Sequence, residues 1–117
     1  MAIAIARHEA ASERALDALG SPTRRRVLDL LAAGPKSVSE LAARLPVSRP
    51  AVSQHLAALL AAGLVECEVT GRLHHYSIRS EGFEAATSYL DAFWSEALAR
   101  FRLVADNLSA ERDADGA

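Results

Sequence analysis

Residues 37–65, SVSELAARLPVSRPAVSQHLAALLAAGLV, constrain the fold more than any other part of the chain, because they spell a short helix, an enforced turn and a second helix. Pro46 cannot continue the first helix. Ser48 is suited to N-cap the second, and Pro50 lies in its first turn, where a missing N–H costs nothing. Gly63 stops it. Val52, Leu56, Leu59 and Leu60 follow an i, i+4, i+7, i+8 pattern and are expected on one buried stripe. At about 100° per residue, Pro50, Gln54 and Ala57 then point nearly opposite that stripe, with Ser53 and His55 on its flanks. A helix-turn-helix offers its second helix to the DNA major groove in this way. An ordinary amphipathic pair in a bundle carries the same pattern, so the next stretch decides between them.

That stretch is a hairpin. Residues 64–70 (LVECEVT) and 73–79 (LHHYSIR) alternate in the β manner around Gly71 and Arg72. A two-residue turn there pairs Val69 with His74, Glu68 with His75 and Cys67 with Tyr76. Helix-turn-helix followed by a hairpin predicts a winged helix-turn-helix: mainly α with a small β-hairpin, about five helices plus a two-stranded wing. The helices are expected near 8–19, 22–34, 38–45, 49–62 and 81–108, with the wing at 64–79. In the last helix Phe83, Ala86, Leu90, Phe93, Trp94, Ala97, Phe101, Val104 and Leu108 recur every three or four residues.

The chain resembles the ArsR/SmtB family of bacterial winged-helix repressors over residues 16–108. The resemblance rests on LGSPTRRRVL at 19–28, VSRPAVSQHL at 47–56, AGLV at 62–65, and Gly71-Arg72 ahead of a tyrosine-bearing strand. It implies a homodimeric repressor that binds an operator and releases it when an inducer binds. Metal-sensing members carry a Cys-Val-Cys type motif at the start of the third helix. Aligned through Glu40 and Leu41, those positions here are Ser37, Val38 and Ser39. Hydroxyls are poor ligands for thiophilic metals. A second family site needs Asp and His along the last helix, and the sequence has no histidine after His75. No metal and no cofactor is therefore expected, and the inducer's identity stays open.

A net charge of −2 argues against nucleic acid until its distribution is considered. Residues 21–80 hold eight Lys or Arg against four acids, and the flanking segments hold five against eleven. A basic middle between acidic ends fits a small DNA-binding domain with separate dimerisation elements. A length of 117 residues suits one domain, expected over 1–108, with an acidic, disordered tail at 109–117. With 50% apolar but 5% aromatic residues, the core must be mostly Leu, Val and Ala. No apolar run approaches the roughly 18 residues of a membrane span. The stretch 1–6 is short for a secretory signal and lacks a basic start. A single cysteine excludes an internal disulfide, and the expected compartment is the cytoplasm.

The DNA-binding candidates are Ser48, Arg49, Ser53, Gln54, His55 and Arg72. Gln54 can pair bidentately with adenine and is the first candidate for reading sequence. Ser53 and His55 flank it, and His55 can equally pack against the preceding helix. Ser48 and Arg49 lie at the positive end of the helix, suited to phosphate. Arg72, at the wing tip, can reach the minor groove or the backbone. Of Arg24, Arg25 and Arg26, spread around one turn, one or two at most can face DNA. Leu90, Phe93, Trp94 and Phe101 are the dimer-interface candidates, since three of the six aromatic side chains cluster there. Cys67 and His74, diagonal neighbours on one wing face, make an incomplete metal site, and Cys67 suits a small core position. Enzyme function is not expected, for want of a phosphate loop, a nucleophile elbow or a complete zinc spacing. The alternatives are a winged-helix protein-interaction module without DNA binding, and a repressor with no small-molecule inducer.

Overall fold

The computed structural model describes the backbone of residues 2–115 and the surroundings of side chains 10–114. The elements are α1 (Ala2–Leu19), α2 (Pro22–Ala32), α3 (Val38–Ala42), α4 (Arg49–Ala61), β1 (Val65–Thr70), β2 (Leu73–Ile78) and α5 (Ser80–Asp115). They divide into two units, a winged body of residues 1–87 and a second unit, residues 88–117, that contains the rest of α5. Met1 and the side chains up to residue 9, which bear on the expectation about the stretch 1–6, lie outside the described residues.

Local chemistry sets the helix ends. Ser21 caps α2 by accepting the Arg24 amide at 3.3 Å, with Pro22 as its first residue. The last carbonyls of α1, which have no acceptor role left within their own helix, are met by arginines from α2. Arg24 donates Nε to the Ala18 carbonyl at 2.7 Å and Nη2 to that of Asp17 at 3.3 Å, and Arg25 donates to the Leu19 carbonyl at 2.8 Å. Two members of the arginine triplet are thus engaged in joining α1 to α2, where cations also meet the negative end of the helix dipole.

The body's core is aliphatic, as the scarcity of aromatics requires. Val27, Leu41, Val52, Leu56, Leu59, Leu64 and Val65 are fully buried. Burial of each such side chain contributes about 1.5–3 kcal/mol. Buried Ser12 on α1 donates to the Ala85 carbonyl at 3.0 Å, tying α1 to the start of α5. Leu60, expected on the α4 stripe, is instead 39% exposed. Val52, Leu56 and Leu59 span about 60° of the helix, and Leu60 falls roughly 80° from Val52, at the rim of that face.

The hairpin has the predicted register, with Cys67 opposite Tyr76, Glu68 opposite His75 and Val69 opposite His74. A third strand position joins it. Lys36 and Tyr76 exchange both backbone hydrogen bonds, at 3.0 and 2.8 Å, which pins the α2–α3 connection to the wing. At the far end α5 continues to Asp115, so residues 109–115, expected as a disordered tail, are helical, while 116 and 117 lie outside the described residues. Ala110, Glu111 and Arg112 are good helix formers, and no Gly or Pro interrupts the run before Gly116.

Candidate DNA interface

The candidate interface is built on α3, α4 and the wing. Ser37 caps α3 in a reciprocal box: the Glu40 amide donates to Ser37 Oγ and the Ser37 amide to Glu40 Oε1, each at 3.2 Å. The Ser37 amide first, and then the Ser37 hydroxyl, hold the Glu40 carboxyl below the usual glutamate range, with His75 and Lys36 adding attraction. His75 Nε2 lies 3.9 Å from Glu40 Oε1, so the wing histidine expected opposite Glu68 also faces α3. Both groups are exposed, and such a pair contributes little.

Ser48 caps α4 by accepting the Ala51 amide at 3.3 Å, and Pro50 follows in the first turn. From that fixed start, Val52, Leu56 and Leu59 turn into the core while Arg49, Pro50, Ser53, Gln54 and Ala57 are exposed. His55 is half-buried at the flank. The exposed face is small around Gln54, as a close approach to base edges needs. Arg49 donates through Nη2 to Ser39 Oγ on α3. Ser37 and Ser39 therefore serve a helix cap and an arginine.

Arg72 is exposed in the tight turn of the wing, beside Gly71 at φ +65°. Midway along the wing, Cys67 Sγ lies 3.8 Å from His74 Nδ1, the diagonal contact expected from the register. Burial pushes the Tyr76 phenol up, and neighbouring Cys67 adds to the shift. Among the described residues no group of three or more His, Cys, Asp or Glu could hold a metal ion. On α5, Leu90, Phe93, Trp94 and Phe101 are all more than half exposed. The sequence offered no signal for Ser39, Lys36 or the roles of Arg24 and Arg25, since each depends on a partner brought in by the fold.

The geometry can be set beside known proteins. Residues 21–66 match the bacterial regulatory protein, arsR family. The chain is similar to the HTH-type transcriptional regulator Rv2034 of Mycobacterium tuberculosis, with 44% identity over 95 residues that cover 81% of this chain and 89% of the relative. The chain belongs to the arsR family. This arsR-family protein is a winged helix-turn-helix transcriptional regulator that binds DNA, and not an enzyme. It is also similar to the transcriptional repressor SdpR of Bacillus subtilis, 29% identical over 62% of this chain and 81% of the relative. A solved structure with the same fold is the homodimeric winged helix-turn-helix DNA-binding domain Mb0332 from Mycobacterium bovis, a possible ArsR-family transcriptional regulator. It matches with TM-score 0.60 and 29% identity over 80% of this chain and 84% of that one. No helix among the described residues is long and apolar enough to cross a membrane.

Proposed function

We propose that this arsR-family regulator is a homodimeric, cytoplasmic repressor that occupies an inverted-repeat operator. The observation that carries the reading is the exposed amino-terminal half of α4, which sets Gln54 opposite the buried stripe, with Ser53 and Arg49 exposed on its flank. Gln54 reads base edges, with Ser53 and His55 beside it, while Ser48, Arg49 and Arg72 anchor phosphates or line the minor groove. The exposed Leu90, Phe93, Trp94 and Phe101 are covered by a second copy, so the two α4 helices enter successive major grooves about 34–36 Å apart. SdpR, a named repressor, and the homodimeric Mb0332 domain support the same assignment.

Footprinting on the promoter of its own gene, with affinity measured against salt, tests this. The expected result is a protected, two-fold symmetric site whose affinity falls linearly in log–log form as salt rises. A wild-type protein with no salt-dependent DNA affinity would overturn the repressor reading in favour of a protein-interaction module.

A further inference from the structure

We infer that a cleft between α1, α2 and the last turn of α4 binds a small organic monocarboxylate, which acts as the inducer. This rests on the repressor reading and gives a place and a chemical class to the ligand which that reading leaves open. The cleft has a volume of about 290 Å³ and lies wholly within the winged body. Small-molecule sites span roughly 300–1,000 Å³, so there is room here for a short chain or a single ring.

The walls combine cations with small apolar side chains. Arg14 and Asp17 line the cleft from α1, and Arg24 lines it from α2. Ala58, Ala61 and Ala62, neighbours on one face of α4, complete it together with Ala18. Neither guanidinium has a carboxylate partner among the described residues. Arg24 donates Nε and Nη2 to the Ala18 and Asp17 carbonyls, which uses two of its five N–H groups. Arg14 donates Nε to the Ala10 carbonyl at 3.2 Å, leaving both terminal nitrogens for a ligand. Backbone carbonyls thus orient both guanidiniums before any ligand arrives, which lowers the cost of binding.

Charge selects the class. Two guanidiniums and the Asp17 carboxylate leave one net positive charge on the walls. The carboxyl ends of α1 and α4, the negative ends of their dipoles, also lie here. A second negative charge on the ligand would meet these groups, so phosphate and dicarboxylates are disfavoured. A single carboxylate fits the arginine forks, with its apolar body on the alanine methyls. Ala61 lies about 10 Å along α4 from Gln54, so a bound acid leaves the DNA face itself uncovered. It acts instead by fixing the last turn of α4 against α1 and α2, whereas the operator sets the position of the same helix from its other end. Each ligand therefore weakens the other, by the same factor.

NMR titration of the full-length protein with hexanoate and with benzoate, in the absence of DNA, tests the site. Saturable shifts are expected at the Ala18, Ala58 and Ala62 amides and the Arg14 side chain, and none with hexylamine or inorganic phosphate. Arg14→Gln removes a cation and Ala61→Leu fills the cleft, so either should abolish the shifts. Both residues are exposed, and an unchanged circular dichroism spectrum checks that the variants fold. In a gel shift, saturating acid should weaken operator binding about five-fold or more in the wild type, and in neither variant. Absence of saturable shifts with both acids would overturn the inference, as would shifts that survive both substitutions. Phosphate shifting the same amides as strongly would overturn the monocarboxylate class. Saturable binding with unchanged operator affinity would overturn the inducer role. A wild type that binds no DNA would overturn the repressor reading instead, and the titration without DNA would still decide the site.

Discussion

The Gly82 amide donates to the Gly63 carbonyl at 3.1 Å, and a Cβ built on Gly82 would stand 2.5 Å from that same oxygen. The contact joins the turn that follows α4 to the first turn of α5. Gly63 itself takes φ +72° so that the chain can turn into β1, with the Leu64 amide bonded back to the Leu59 carbonyl at 3.0 Å. Two glycines thus let helix end and helix start approach at backbone distance.

Gly82→Ala is accordingly expected to destabilise the winged body by about 1–3 kcal/mol through forced backbone movement. Gly63→Ala should cost roughly 1–2 kcal/mol, because its left-handed φ disfavours a side chain. Urea unfolding measures both. A Gly82→Ala variant as stable as wild type would mean the two segments do not approach this closely in solution.

The core prediction contrasts neighbours on α4. Leu56 is 1% exposed and Leu60 is 39% exposed. Leu56→Ala should lower stability by about 2–5 kcal/mol, and Leu60→Ala by much less. Equal losses would restore Leu60 to the buried stripe on which the sequence pattern places it.

The pattern errs there for a simple reason: spacing fixes directions around one helix but not how wide a face its neighbours cover. What depends on local chemistry was legible. The cap at Ser48 was read from the sequence, whereas those at Ser21 and Ser37 emerged with the structure. The wing register follows from a two-residue turn that fixes every pair from Thr70 and Leu73 down to Val65 and Ile78. What depends on distant partners was not legible. Nothing in the sequence links Lys36 to Tyr76, Gly82 to Gly63, or Arg49 to Ser39. The composition of residues 109–115 suggested disorder because it is polar, whereas helix propensity does not require an apolar residue. For the candidate DNA face, the direction of Gln54 and the places of Arg49 and Arg72 could be read from the sequence, while the partners of Arg24, Arg25 and Arg49 depended on the fold.

Glu40 provides a pH test. Its carboxyl lies below the ordinary glutamate range because of the Ser37 bonds. A depressed carboxylate contributes stability that is present above the unfolded-state value and is lost as pH falls through the folded-state value. Ser37→Ala keeps the amide of residue 37 and removes only the hydroxyl, so it should raise the Glu40 titration midpoint part of the way toward normal, as followed by NMR. An unmoved midpoint would mean that the hydroxyl contributes nothing and that the amide alone holds Glu40.

Metal response is the next expectation. Ser37 caps α3 and Ser39 accepts from Arg49, so neither position supplies a soft ligand. Stoichiometric Zn²⁺, Cd²⁺ or arsenite should leave the protein–DNA complex intact in a gel-shift titration. Release that persists in Cys67→Ser would point to a histidine and carboxylate site instead.

The last prediction separates reading from anchoring on α4. Gln54 is exposed and opposite the buried stripe, so Gln54→Ala should cost about 1–3 kcal/mol on the operator and little on random DNA, because base-edge bonds are lost. Arg49→Ala and Arg72→Ala should weaken both and flatten the log–log salt slope by about one unit per lost phosphate contact. Equal losses of Gln54→Ala on operator and random DNA would transfer the reading role to Ser53 and His55. An unchanged salt slope for Arg72→Ala would place the wing tip away from the phosphates, leaving α4 to hold the site alone.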